Sequence, residues 1–362
     1  MPYYGNESDE TLSENNQLNF LSYYGAGGRD LILFGNKTGD PIGLYAVYID
    51  GGTGNDVITG NINGDQLYAG SGDDIAYGNG GDDEVYGGGG NDALTGNEGD
   101  DSLSGGYGND TLLGGSGTNY LDGGFGDDTL YADTGGREFM FGGGGSDLVS
   151  YENASAAIKL NLTNGNLNEG TAEADIFNSI ERFKGSAFGD RMTGDGTENV
   201  FDGHFGADTL TGLGGADQLF GDSGADNLLG GVGNDYVDGE SGADTIVGGA
   251  GKDYMLGGAD ADVFRYVALS DSTVAQNGRD QIADFAAGDR IDLSLIDANA
   301  AVTGNQTFAL DTGGAFAVGE IRVRPLDGGG VVVFANTKGD AVPEMAITVF
   351  DVSALAKADF IL

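Results

Sequence analysis

From Gly51 onward the sequence repeats every nine residues as G-G-x-G-x-D-x-U-x, where U is a large apolar side chain, and this period fixes almost everything the chain can become. Nine consecutive units fill 51–131 and nine more fill 185–265. The sixth position of the first array reads Asp56, Asp65, Asp74, Asp83, Asp92, Asp101, Asp110, Asn119 and Asp128. In the second it reads Asp190, Asn199, Asp208, Asp217, Asp226, Asp235, Asp244, Asp253 and Asp262. The eighth position is apolar throughout, from Ile58, Leu67 and Ala76 in the first array to Ile246, Met255 and Phe264 in the second.

Positions seven to nine predict a three-residue strand with position eight facing the core, because side chains alternate along a strand. The six residues before it hold up to three glycines, which permit a tight reversal. One strand and one reversal do not close a coil, so two units are needed. Strand n then stacks in parallel on strand n+2 at roughly 4.8 Å. The predicted fold is all-β: a parallel β-roll, a solenoid with two nonapeptides per coil.

One buried apolar side chain per nine ordered residues does not offset the chain entropy. Stacked reversals, however, bring Asp n and Asp n+2 to one edge beside glycine carbonyls. That is an all-oxygen environment suited to Ca²⁺, which takes six to eight oxygen ligands, whereas Mg²⁺ demands strict octahedral geometry. Turn chemistry alone would accept Asn or Ser at position six. Here it is Asp in all but two of the eighteen units, Asn119 and Asn199. The predicted metal ligands are therefore Asp56, Asp65, Asp74, Asp83, Asp92, Asp101, Asp110, Asp128, Asp147, Asp190, Asp208, Asp217, Asp226, Asp235, Asp244, Asp253 and Asp262, serving multiple calcium ions.

Charge supports the same reading. With 58 acidic and 15 basic residues the formal net charge is −43, which opposes compaction without counter-ions and argues against a nucleic-acid partner. Metal binding and folding are then one equilibrium. The chain has no cysteine, so calcium takes the place of disulfide staples. Residues 1–10 lack the basic start and apolar stretch of a secretory signal peptide, and no apolar run approaches the 18 residues of a membrane span.

The arrays divide the chain. Residues 1–50 read as an N-terminal cap with degenerate repeats, in which Asp30 and Ile32, and more weakly Glu10 and Leu12, are in phase. The first array spans 51–150, ending in a ten-residue unit, 132–141, and a regular one containing Asp147 and Val149. Residues 151–184 read as a β insert of two or three strands, which leaves coaxial stacking of the two arrays open. The second array spans 185–265. From 266 to 362 glycine thins and strands are predicted at 316–323, 331–335 and 345–352, a β-rich C-terminal cap of the kind solenoids need to cover an open edge.

The nonapeptides resemble those of RTX proteins. The C-terminal half resembles the C-terminal region of serralysin-type secreted metalloproteases, over roughly residues 185–362. The similar residues are Asp262-Val263-Phe264, Asp280 to Phe285, Gly288 to Leu293 and Asp359-Phe360-Ile361-Leu362. The resemblance implies export by a type I ABC exporter that reads an uncleaved C-terminal signal, and an extracellular location. It departs at Asn336-Thr337-Lys338-Gly339-Asp340, where Lys338 argues against a further calcium site.

Enzymatic constellations are missing from the sequence. A zincin needs two histidines one helical turn apart, and His204 is the only histidine. No G-x-S-x-G elbow is present. Carboxylate pairs such as Asp73-Asp74, Asp82-Asp83 and Asp127-Asp128 recur with the repeat, as loop and ligand chemistry expects, rather than marking one glycosidase cleft. The apolar helices and lysine-rich patch of an RTX pore-former are absent as well. Position nine carries mixed rows, Thr59, Tyr77, Thr95, Leu113 and Tyr131 on one face and Tyr68, Tyr86, Ser104 and Asp122 on the other, which do not form a threonine ladder for ice. Exposed tyrosines offer a surface for glycans or a cell surface. The expectation is a secreted, non-enzymatic calcium-binding scaffold at the cell surface or in matrix. The alternative is the RTX and secretion module of a larger exoenzyme such as a protease, lipase or polysaccharide-modifying enzyme.

Overall fold

In the computed structural model, positions seven to nine of every unit are extended and position eight turns inward. All eighteen position-eight side chains in the two arrays are at most 1% exposed, while their neighbours at seven and nine are half-buried or exposed. The structure describes residues 3–6, 8–13, 22–33, 46–132, 136–311, 313, 315–338 and 342–362. These form two compact units, 1–159 with 165–184, and 160–164 with 185–362.

The first unit is a β-solenoid whose coil strands pair in parallel. Alternate units feed two sheets, so that Tyr48–Thr53 pairs with Gln66–Ser71, then Glu84–Gly89, Ser102–Tyr107 and Thr118–Phe125. Opposite them run Val57–Thr59, Ile75–Gly80, Ala93–Glu98, Thr111–Ser116 and Thr129–Tyr131. Partners lie eighteen residues apart, Leu67↔Val85 or Leu94↔Leu112, which is two nonapeptides per coil. Most strands in this array are six residues long rather than three. The reason is that positions one to three of the next unit remain extended and pair with their counterparts, as in Gly70↔Gly88.

The roll extends past the regular repeats at both ends of this unit. Ser22–Tyr24 pairs with Tyr48–Thr53, and Thr11–Ser13 and Leu31–Leu33 lead into Val57–Thr59. Two strands of the segment read as an insert are rungs of the same roll: Ile176–Asn178 pairs in parallel with Arg137–Gly144, and Arg182–Lys184 with Leu148–Ser150. Asp175-Ile176-Phe177 and Glu181-Arg182-Phe183 keep the acid and the apolar residue two positions later while dropping the glycines. That explains why the period vanishes although the coil continues.

The second unit repeats the arrangement. Arg191–Thr193, Thr209–Gly214, Asn227–Gly233, Thr245–Gly251 and Val263–Arg265 make one sheet, continued by Arg290–Asp292 and Phe360–Ile361. Val200–Asp202, Gln218–Phe220, Tyr236–Asp238 and Tyr254–Leu256 make the other, continued by Gln281–Ile282. An antiparallel meander, Glu320–Pro325, Val331–Asn336 and Met345–Val349, closes that edge through Ile282↔Val349. The sequence of this meander alternates less than a surface sheet would, and all five residues of Met345–Val349 are buried. Among the described residues no helix is long and apolar enough to cross a membrane.

Candidate metal centre

Each reversal returns the chain to the same edge one coil later, so position six stacks on position six. The aspartate there is buried, and its two oxygens have different fates. Oδ1 accepts a hydrogen bond from the backbone N–H of the residue one coil earlier. Asp56 donates to Asp74, Asp74 to Asp92, Asp92 to Asp110 and Asp110 to Asp128, at 2.7–2.8 Å. The opposite edge runs from Val47 through Asp65, Asp83 and Asp101 to Asn119. In the second unit one edge runs Asp190, Asp208, Asp226, Asp244, Asp262, and the other Asn199, Asp217, Asp235, Asp253.

Oδ2 is buried and has no hydrogen-bond partner at Asp56, Asp74, Asp83, Asp92, Asp101, Asp110, Asp128, Asp147, Asp208, Asp217, Asp226, Asp235, Asp244, Asp253 and Asp262. A buried, orphaned carboxylate oxygen is costly, and one repeated on every coil calls for a compensating charge. Protein cations do not supply it. The ion pairs among the described residues, Lys159–Glu169, Lys184–Glu152, Arg265–Asp292, Arg322–Asp311 and Lys338–Glu344, leave these oxygens untouched.

Beside these orphaned oxygens the first residue of the unit is glycine, except in the unit of Asp74, where it is the buried Ala69. A Cβ on Gly96 would lie 2.2 Å from Asp101 Oδ2 and 2.5 Å from the carbonyl oxygen of Gly114 on the next coil; on Gly212 it would meet Asp217 Oδ2 at 2.2 Å and the Gly230 carbonyl at 2.6 Å. At these coils carboxylate and carbonyl oxygens therefore converge on a cradle that a side chain on Gly96 or Gly212 would fill. This donor set, all oxygen and drawn from two adjacent coils, fits Ca²⁺.

Burial of the carboxyls raises their pKa, against the lowering effect of the N–H donors. Asp56, Asp92, Asp101, Asp217, Asp226 and Asp262 are pushed up to about 6. Asp74, Asp128, Asp208, Asp244 and Asp253 reach about 7, with repulsion from ladder neighbours adding to burial. Asp83 reaches about 8 for the same reasons.

All seventeen aspartates predicted from sequence lie in these ladders, but two differ from the rest. Asp65 Oδ2 accepts the backbone N–H of Asn61 at 2.6 Å, and Asp190 Oδ2 accepts the N–H of Ser186 at 2.6 Å. In both units a polar residue replaces the second glycine, and the loop turns back to satisfy its own carboxylate. Asn119 also differs, donating through Nδ2 to Glu138 Oε1.

The ladders extend beyond the seventeen predicted ligands, to the in-phase Asp30 and to members that the nine-residue period did not reveal. Asp30 donates to Asp56 and carries an orphaned Oδ2. Asp147 continues to Glu181, and Glu138 to Asp175. Asp253 donates to Asp280 and Asp262 to Asp289, across 27 residues instead of 18. Asp280 is pushed up to about 9 by burial and by Asp253. The signal common to all is an acid followed two residues later by an apolar side chain, buried at Asp280-x-Ile282 and Asp289-x-Ile291 and half-buried at Asp175-x-Phe177. Of the Asn336–Asp340 segment, Gly339 and Asp340 lie outside the described residues.

Position five explains the carboxylate pairs. In the first array it forms an exposed outer ladder of opposite polarity, with Asn55 accepting from Asp73 N–H, Asp73 from Asn91, Asn91 from Asn109 and Asn109 from Asp127. Asp73 is thus a turn-stacking residue and its neighbour Asp74 an inner-ladder one.

A family model described as the RTX calcium-binding nonapeptide repeat matches residues 48–76, 59–94, 95–130, 178–210, 193–228 and 229–264. Comparison with curated proteins gives no match. Among solved structures, the solution structure of a subunit of the Azotobacter vinelandii mannuronan C5-epimerase is similar at 25% identity, over 48% of this chain and 78% of that one, with a TM-score of 0.27.

Proposed function

The two arrays are RTX calcium-binding nonapeptide repeats, and from that premise we propose that the chain is an extracellular, non-enzymatic scaffold that folds when it meets calcium. The observation that carries this reading is the rows of buried Oδ2 atoms without a partner along both edges of the coils. These repeats bind calcium at multiple sites. The residues we assign to them are the orphaned aspartates, with glycine carbonyls completing the set.

Calcium then acts as a location sensor. Extracellular modules bind it at roughly 10⁻⁴–10⁻³ M, so a chain of net charge −43 stays open where calcium is scarce and closes where it is abundant. That order suits passage through a type I exporter. Phe360 is buried and pairs with Ile291, so an exporter that reads this segment would read it before folding.

The scaffold offers one face to a partner. Tyr4, Tyr24, Tyr48, Tyr68 and Tyr86 stack along the outside of one sheet of the first unit, with centroids 4.7–5.3 Å apart. We assign glycan or cell-surface contact to this stripe. The position-nine rows are mixed, but Tyr48 at position seven joins Tyr68 and Tyr86 at position nine, so the stripe crosses rows. Binding of the purified chain to glycan arrays and to cells is expected with calcium and not with chelator, and is expected to fall in a Tyr68→Ala/Tyr86→Ala variant that keeps its calcium-bound fold. Hydrolase or epimerase activity in that same preparation, or an in-frame catalytic domain in the gene, would replace the scaffold by an exoenzyme module.

A further inference from the structure

The only histidine of the chain lies outside the calcium ladders. His204 occupies the second position of its unit, which is glycine in half of the eighteen units, and on the same edge the next coils carry Asp222 and Glu240 there. The row is held in register by backbone hydrogen bonds from Ser223 to the His204 carbonyl and from Ser241 to the Asp222 carbonyl. Parallel bridges run alongside, Phe205↔Ser223 and Ser223↔Ser241. All three residues take left-handed backbone, with φ of 70°, 64° and 64°. The imidazole rests against the Phe205 ring, with centroids 4.2 Å apart. Asp202, two residues before His204 at the end of a strand, points its carboxylate to the same place.

An imidazole nitrogen of His204 and carboxylate oxygens of Asp202 and Asp222 lie within 4.8 Å of one another, and all three side chains are half-buried. Tetrahedral ligands about 2.0–2.2 Å from a zinc ion stand roughly 3.3–3.6 Å apart, so modest side-chain rotations close the set. The surroundings favour a cation. Glu240 follows Asp222 one coil on in the same row, and Asp238 accepts the Glu240 backbone N–H at 3.2 Å.

We propose that Asp202, His204 and Asp222 form a second class of metal site, taking one divalent transition-metal ion of the zinc type. The donor set separates it from the ladders. Calcium takes oxygen ligands, whereas imidazole selects zinc, nickel and copper. The ladder oxygens are inward and glycine-lined; this cluster is on the outer edge and partly open to solvent. The ion would tie together the coils bearing Asp202, His204 and Asp222 from outside.

The test is a zinc chloride titration of the calcium-saturated full chain, read by calorimetry and by the imidazole resonances of His204. One zinc ion per chain beyond the calcium complement is expected, with the His204 resonances shifting on zinc but not on calcium. His204→Asn keeps a residue tolerant of left-handed backbone, and Asp222→Asn keeps the side-chain size. Each is expected to weaken zinc at least tenfold while leaving calcium-induced β-structure intact. Zinc affinity unchanged in His204→Asn, or zinc displaced one for one by excess calcium, overturns the proposal. So does a titration in which the His204 resonances do not move.

Discussion

The two arrays share an inner ladder and differ in the outer one. In both, position six presents a hydrogen-bonded Oδ1 and an orphaned Oδ2, as at Asp74 and Asp226. Position five carries Asn55, Asp73, Asp82, Asn91, Asp100, Asn109 and Asp127 in the first array, but Ala207, Ala216, Ala225, Ala243 and Ala261 in the second. The outer hydrogen bonds are correspondingly dense in the first and, among the described residues, reduced to Lys252 N–H to Asn234 in the second. On the proposed reading, the unsatisfied feature common to both arrays serves metal binding, and the hydrogen-bonded one concentrated in the first array serves turn stability.

The largest predicted effect is loss of an inner ligand. Asp74→Ala and Asp226→Ala should each weaken calcium binding at neighbouring coils of their own edge by at least about tenfold, roughly 1.4 kcal/mol, and by similar amounts in the two arrays. For Asp226 the affected neighbours are Asp208 and Asp244, with Asp217 and Asp235 on the other edge spared. Equal loss on both edges in a calcium-occupancy map would break the two-units-per-coil account. Gly96→Ala and Gly212→Ala should act almost as strongly without removing any ligand, because each methyl would enter the cradle 2.2 Å from the Asp oxygen.

Acid should separate folding from metal binding. Ladder carboxyls are held at about 6 to 8 in the fold against 3.8 when unfolded. The metal-free fold therefore binds more protons than the open chain between about pH 4 and pH 8, so it loses stability as pH rises through that window and gains it on acidification. Calcium must displace those protons, so its affinity falls on acidification through the same range. Circular dichroism of chelated protein at pH 4.5 should show more β-structure than at pH 8, while calorimetry shows weaker calcium binding at pH 5.5 than at pH 8. Chelated protein that loses β-structure on acidification would contradict the sign.

Smaller effects sharpen the distinction between ligand and turn. Asp65→Ala removes an aspartate whose two oxygens both accept backbone N–H groups. It should lower stability by about 1–3 kcal/mol yet leave calcium stoichiometry unchanged, unlike Asp83→Ala on the same edge. Asp73→Ala should cost only about 0.5–1.5 kcal/mol, and calcium calorimetry should barely register it.

The sequence made the roll legible because its period is strict: apolar position eight, acidic position six and parallel n to n+2 pairing could all be derived from 51–131 and 185–265. The limits of the coil were not legible. Coils through Glu138, Asp175 and Glu181, and through Asp280 and Asp289, keep the ladder while losing the glycines and the spacing, so periodicity alone did not expose them. What persists there is a hydrogen bond and one apolar residue two positions on, a pattern too short to stand out without neighbours. Nor did the sequence separate Asp65 and Asp190 from other position-six aspartates, since the satisfaction of Oδ2 depends on how a loop lacking its second glycine folds back.

The central claim is that calcium completes a fold whose buried oxygens have no other partner. It is tested most directly by following β-structure in the full chain at neutral pH while calcium is raised from chelator to several millimolar. The account predicts largely disordered protein in chelator, converting cooperatively to β-structure with the uptake of many ions per chain. Full β-structure in chelator, with orphaned aspartates still charged, would contradict it.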